Sequence, residues 1–279
     1  MGERERWRVV ARGDAAVLWG RSGTGPPVVL AHGLQDGWAG WLPLAAELGD
    51  RACYALDLPW RAGSTDTWCH RGTPADWLSR GLALVPEAPR VVIGHSFGAN
   101  AVLHLLAERG LPASVEAVVL VAPFFRPPAL EVDWALHTAA LAGVRRIMTA
   151  GLRLRLGSRA ADLDDDLLSA MAATVVDRIG PVGFGAFFQS FAASTTLWLS
   201  DVDIPVLVVA GRDDEALSGE RATALATALP IARFRIRPHY SHFCHVEQAD
   251  DVAADLGEFL DRVGFETNAT PLTALHPIR

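Results

Sequence analysis

The chain repeats one arrangement: a short run of almost wholly apolar residues, then a longer stretch in which apolar residues return at helical spacing. The runs are residues 28–31, 53–58, 91–93, 115–122 and 205–210. Strands that short and that poor in polar alternation need cover on both faces, as strands in a parallel sheet have. Parallel neighbours must be joined by a crossover, and residues 38–48, 74–85, 97–109, 218–229 and 249–263 carry helical periodicity. Thr73-Pro74-Ala75-Asp76 marks one helix start, with threonine as cap and proline in the first helical position. Residues 232–237 supply a last strand. Residues 7–11 and 15–19, around Arg12-Gly13-Asp14, open the chain as an antiparallel hairpin. The sequence therefore predicts an α/β fold: a mostly parallel central sheet with helices on both faces.

One stretch breaks the rhythm. Residues 124–199 contain no convincing strand and read as helix at 134–148, 163–179 and 184–199. Strands resume cleanly on either side, so this is expected to be an inserted helical cap. The division is then a core made of 1–123 and 200–263, a cap or lid at 124–199, and a tail at 264–279.

Ser96 lies in Gly94-His95-Ser96-Phe97-Gly98, directly after Val91-Val92-Ile93. A serine at the tip of a sharp strand-to-helix turn takes a strained backbone conformation that only very small neighbours allow, and Gly94 and Gly98 meet that need. The helix begun at Phe97 puts its N-terminal amides and positive dipole end beside the hydroxyl, where an oxyanion would form. His95 is a supporting residue in the same turn.

A serine hydroxyl is a poor nucleophile without a base in hydrogen-bond reach and a third group to orient that base. The strand at 205–210 delivers Gly211-Arg212-Asp213-Asp214, and the one ending before Pro238 delivers Ser241-His242. Both fall at carboxyl ends of parallel strands, where open α/β sheets collect their sites. We take His242 as base and Asp214 as acid, with Asp213 in reserve. The run 28–31 ends at His32-Gly33-Leu34, whose amides would point across the sheet top toward Ser96. The backbone N–H groups of Leu34 and Phe97 are the expected oxyanion donors, with His32 and Gly33 shaping the turn. His239, His242 and His245 lie three apart, but no thiolate or carboxylate pattern joins them, so neither a metal nor another cofactor is expected. His245 reads as a helix-entry residue and His239 as a loop residue.

These positions together resemble the α/β-hydrolase family over roughly 28–263: His32-Gly33-Leu34, the turn from Gly94 to Gly98, Gly211 to Asp214, and Ser241-His242 followed by Glu247. The resemblance implies the α/β-hydrolase fold, with a cap inserted where this chain has 124–199. Some relatives take their acid just after the strand that precedes the cap; Ala122-Pro123 offers none, which supports Asp214. Asp57-Leu58-Pro59-Trp60-Arg61 departs from the pattern by placing Trp60 and Arg61 where smaller residues are common. Trp60, Trp134, Phe188 and Trp198 are the expected substrate-pocket residues. Arg145, Arg146, Arg153 and Arg155 read either as a solvated helix face or as a grip for a carboxylate, a phosphopantetheine arm or an acidic carrier.

Composition removes several alternatives. The formal charge of -7 and scattered arginines argue against nucleic acid. Lysine is absent, so Schiff-base, pyridoxal and phosphate-loop lysine chemistries are excluded. Cys53, Cys69 and Cys244 are odd in number and far apart, unlike a disulfide framework. Residues 1–12 alternate charge and lack the apolar core of a signal peptide. We expect a cytoplasmic protein without a membrane-spanning segment, a monomer or homodimer.

Three functions fit the sequence. One is a serine hydrolase acting on a small or medium apolar carboxylic ester; serine rather than aspartate as nucleophile disfavours the family's epoxide hydrolases and dehalogenases. The second is the same machinery acting as a thioesterase on an acyl carrier or CoA thioester, a C–C bond hydrolase, or a biosynthetic lyase or cyclase. The third is a non-enzymatic small-ligand receptor of the same fold.

Overall fold

The computed structural model describes residues 2–64, 66–217 and 219–264. The expected helix start at Ser218 and the tail beyond Gly264, with His276, lie outside the described residues.

The opening hairpin forms between β1 (Arg8–Arg12) and β2 (Val17–Arg21). The remaining strands are β3 (Gly25–Ala31), β4 (Arg51–Asp57), β5 (Val91–His95), β6 (Ala117–Val121), β7 (Val206–Gly211) and β8 (Arg233–Arg237). They form one sheet in the order β1-β2-β4-β3-β5-β6-β7-β8. The two pairings made by β2 are antiparallel and the other five are parallel. Strands β5, β6 and β7 are buried at every residue, as their lack of polar alternation requires.

Alternate residues feed two cores. Val29, Val92 and Val118 face a layer that includes α2 (Pro74–Leu82) and α3 (Phe97–Glu108), while Val28, Ile93 and Val119 face α1 (Leu42–Glu47) and α8 (Ala249–Arg262). Helix α2 begins as its sequence demands: the Asp76 amide donates to Thr73 Oγ1 at 3.1 Å and the Thr73 amide donates to the Asp76 carboxylate at 2.9 Å. Helix α6 (Glu220–Ala228) links β7 to β8, and the short α7 (Cys244–Glu247) precedes α8.

Between β6 and β7 the chain rises into α4 (Trp134–Leu156) and α5 (Asp165–Ala193), which pack on each other. Asp133 and Asp164 cap them, accepting from the amides of Leu136 and Leu167 at 2.8 and 2.6 Å. The expected boundaries shift here. Helix α4 runs on past Met148, and the two later helices meet as one kinked α5 ending at Ala193 rather than 199. The kink lies at Gly180, whose φ of 65° leaves the helical region, followed by Pro181, which has no N–H to offer.

One stretch of this insertion is long and uncharged. Residues 179–200 are uncharged, and the helical stretch Asp165–Thr196 contains an 18-residue window of mean hydropathy 1.3, long and apolar enough by composition to cross a membrane. Here that segment is broken at Gly180 and buries Ile179, Phe184 and Phe191 against protein.

Candidate active site

Ser96 leaves β5 with φ 50° and ψ -115°, a left-handed conformation that costs a non-glycine residue on the order of 1–3 kcal/mol. Its amide is held by the Val121 carbonyl at 2.8 Å. The turn closes only because its flanks have no side chains: a Cβ on Gly98 would lie 2.4 Å from the Ala31 oxygen, and one on Gly94 2.7 Å from the Ala99 Cα.

His242, delivered by the loop after β8, points Nε2 at Ser96 Oγ over 3.1 Å. Its Nδ1 meets both carboxylate oxygens of Asp214 at 3.0 and 3.1 Å. A carboxylate can only accept, so Nδ1 carries the proton and Nε2 presents a lone pair to the serine hydroxyl. Asp214 is buried at the end of the β7 loop, and the Ala216 amide also donates to it at 3.0 Å. Asp213, the reserve acid, is exposed in the turn beside it. The arrangement can therefore move a proton from Ser96 to His242 while Asp214 holds the ring.

Two further histidines stiffen this corner. His95 Nε2 donates to the carbonyl of His242 at 3.0 Å, tying the base's backbone to the turn that carries Ser96. Burial holds His95 well below the usual histidine range, so the ring is neutral and can donate from only one nitrogen. His32 is likewise buried with its pKa lowered by desolvation; it accepts from the Leu58 amide at 3.0 Å through Nε2 and donates to the Gly33 carbonyl at 2.7 Å through Nδ1.

The loop after β3 lies against the serine: a Cβ on Gly33 would lie 2.9 Å from His95 Nδ1 and 3.3 Å from the Ser96 Cβ. Leu34 and Phe97 line the same pocket as Ser96, and among the described residues neither backbone amide is engaged by a hydrogen bond. Gln35 follows at φ 57°, with its amide bonded to the Trp60 carbonyl at 3.0 Å. From the other side Arg155 of α4 donates to the Gln35 carbonyl at 2.8 Å and to Asp36 at 3.2 Å. An arginine of α4 thus grips the backbone next to Leu34.

Ser96 opens on two chambers. The first, about 60 Å³, is walled by Leu34, Met148, Phe187 and Phe243 and reaches Arg155. The second, about 340 Å³, is walled by Phe124, Ala140, Ile147 and Phe191 and ends at Arg146, Glu215 and Arg221. A vestibule of about 580 Å³ adjoins the first chamber at Asp36, Gly151, Arg155 and Phe243.

The expected pocket residues are elsewhere. Trp60 is buried beneath the site against Trp68 and Phe97, and its indole N–H donates to the His32 carbonyl at 3.0 Å. Trp134 is 80% exposed at the start of α4, because that helix turns its later residues, 139–155, toward the serine. Trp198 is 69% exposed and donates to Asp201 at 2.8 Å. Phe188 packs on His137 and Phe184 inside the cap, while Phe187, one residue and about 100° earlier on the helix, faces both chambers. Sequence reasoning missed Gln35, Asp36, Phe243 and Arg221, none of which stands in a recognisable motif. Their only signal is nearness in the chain to Leu34, His242 and Asp214.

The three spaced histidines go to separate places. His239 pairs with Asp251 at 2.9 Å, and His245 is buried in α7 against His95 and Trp41, with its pKa pushed down to about 3 by desolvation. Asp36, His95 and His245 do bring ligating atoms within 4.8 Å of one another. Metal bonds of about 2.0–2.2 Å would require them closer, and Asp36 is already engaged by Arg155.

Comparison with known proteins agrees with this fold. Residues 28–255 match the model of the alpha/beta hydrolase family, and the chain belongs to that family. Among solved structures, the chain is similar to the esterase RhEst1 from Rhodococcus sp. ECU1013, with 20% identity, TM-score 0.65, and 93% of this chain and 100% of that one covered. A thermophilic esterase from Thermogutta terrifontis is similar at 18% identity and TM-score 0.60, covering 91% and 97%. The thioesterase domain from the curacin biosynthetic pathway is similar at 15% identity and TM-score 0.62, covering 90% and 98%. At these identities the likeness is one of fold.

Proposed function

We propose that the protein is a serine hydrolase that cleaves a small or medium apolar carboxylic ester through an acyl-enzyme on Ser96. The observation that carries this reading is the hydrogen-bonded series Ser96, His242, Asp214 opening on apolar chambers. His242 Nε2 takes the hydroxyl proton as Ser96 Oγ bonds to the acyl carbon. The carbonyl oxygen becomes an oxyanion, which the Leu34 and Phe97 amides stabilise, each such donor contributing on the order of 3 kcal/mol. Collapse expels the alkoxide, which leaves with the proton from His242. Water then repeats the sequence, releasing the acid and restoring Ser96. Asp214 keeps the imidazole in the required tautomer and stabilises the cation formed in each half.

The similarity to esterases and to a thioesterase domain suits acyl transfer to water and leaves the leaving atom, oxygen or sulfur, to experiment. A panel of p-nitrophenyl esters and matching acyl thioesters, from acetyl to octanoyl, tests this with stopped-flow detection. The proposal expects a burst of alcohol release followed by slower turnover, fastest on short oxyesters and abolished in Ser96→Ala. Full turnover by Ser96→Ala would overturn the acyl-enzyme. Faster turnover of thioesters than oxyesters would reassign the bond, and ligand binding with no turnover at all would favour a receptor.

A further inference from the structure

Arg221 does not fit an apolar ester site. It extends from the first turn of α6 into the far wall of the second chamber, partly buried, with its guanidinium carbon 5.1 Å from the centre of the Phe191 ring. Desolvation lowers its pKa, which records that the surroundings are poor at solvating its charge. Its near neighbours do not compensate fully. The carboxylate of Glu215 is taken by Arg146, with Nη2 to Oε2 at 2.6 Å, and Arg221 donates only to the Glu215 backbone carbonyl. Asp214 is committed to His242 and the Ala216 amide. Among the described residues, no carboxylate lies within ion-pair distance of Arg221.

Apart from the Arg146–Glu215 pair beside Arg221, the lining of that chamber is apolar and aromatic, and its other end is Ser96. A cation half out of water is costly unless an anion meets it, and a guanidinium is shaped to take a carboxylate through two parallel hydrogen bonds. We infer that Arg221 is a specificity residue, and that the substrate carries a carboxylate at the end of a short apolar arm running from the scissile ester through the second chamber. This deepens the ester-hydrolase proposal and rests on it for the position of the scissile carbonyl. The chamber of about 340 Å³ lies at the lower end of ligand-pocket sizes, which suits an arm of a few carbons. The smaller first chamber takes the other side of the ester.

The carboxylate can stand on the acyl arm or on the alcohol arm, and a binding experiment separates the two. Calorimetry on Ser96→Ala, which cannot turn substrate over, compares three probes of matched length. These are the half-methyl esters of succinic, glutaric and adipic acids (acyl arm), acetoxypropanoate and its homologues (alcohol arm), and the neutral dimethyl diesters. One half-ester series should bind at least about tenfold tighter than the diesters. That preference should vanish in Ser96→Ala/Arg221→Met and return in part in Ser96→Ala/Arg221→Lys. Reading a ratio within each variant, with melting temperature as a folding control, removes any general loss of binding. Diesters that bind as tightly as both half-ester series, or a preference that survives Arg221→Met, would overturn the inference. A carboxylate preference without turnover by the parent protein would instead sink the hydrolase proposal and leave Arg221 as a ligand-binding residue.

Discussion

Strand β5 is buried along its whole length and ends in a turn that only two glycines can close, whereas α4, which roofs it, buries just Leu136 and Val144 fully. The sheet corner is overdetermined. Ser96 is fixed by the Val121 carbonyl, His242 by Asp214 and His95, and the Leu34 loop by Trp60 and Arg155. Helices α4 and α5 are joined in part by exposed ion pairs such as Arg153 with Asp165, which typically contribute about 0–1 kcal/mol.

The sharpest test of that division compares adjacent acids. Asp214→Asn should lower kcat on the order of 10⁴-fold, because the amide can present the wrong partner to His242 Nδ1. Asp213→Asn should leave it within about threefold. Equal losses would mean that the loop as a whole, and not one carboxylate, matters.

Tryptophans in the two regions should differ almost as strongly. Trp60→Ala removes a fully buried ring and the donor to the His32 carbonyl, at a cost of about 3–5 kcal/mol in urea unfolding. Trp134→Ala, on the exposed end of α4, should cost under about 0.5 kcal/mol. A comparable cost at Trp134 would show that the cap is stabilised like the core.

The buried histidines give the corner a pH dependence. His95 and His245 both have folded pKa values below the ordinary value, so the unfolded chain takes up protons that the folded one refuses. Above about pH 6.5 their contribution is flat; as pH falls below it, stability should drop by up to about 1.4 kcal/mol per pH unit for each ring. For His245 the decline continues to about pH 3. Urea midpoints from pH 7.5 to 5 measure it, and His245→Phe should flatten the slope. An unchanged slope would contradict the assignment.

Arg155 is the one arginine by which α4 grips the loop bearing Leu34. Arg155→Ala should reduce kcat about tenfold with little change in KM, the scale of losing a hydrogen bond to a charged group. Arg153→Ala, which loses only an exposed ion pair, should leave kcat and KM near their original values.

The same contrast explains what could be read from the sequence. The strands, the glycine turn and the strand-end acid and base are local statements: a run too apolar to be half-exposed, residues small enough for φ 50°, a position at a strand's carboxyl end. Each constraint is carried by a few consecutive residues, and the family match then covers the same span. The pocket depends on which way α4 and α5 rotate, and aromatic content does not encode rotation. Phe188 and Phe187 are equivalent as composition, yet one packs inside the cap and the other faces Ser96. Trp60 reads as a pocket residue because it stands where the family commonly has smaller residues; it is instead buried beneath the site, with its N–H reaching back to the His32 carbonyl. The reach of Arg155 to Gln35 spans 120 positions, beyond any local pattern.

The central claim is that Ser96 is a nucleophile activated by His242. It is tested most directly by treating the native protein with a fluorophosphonate and mapping the adduct by peptide mass spectrometry. A single adduct on Ser96, formed quickly by the parent protein and at least about 10³-fold more slowly by His242→Ala, is the predicted result. No adduct, or one at another serine such as Ser190 or Ser241, would contradict it.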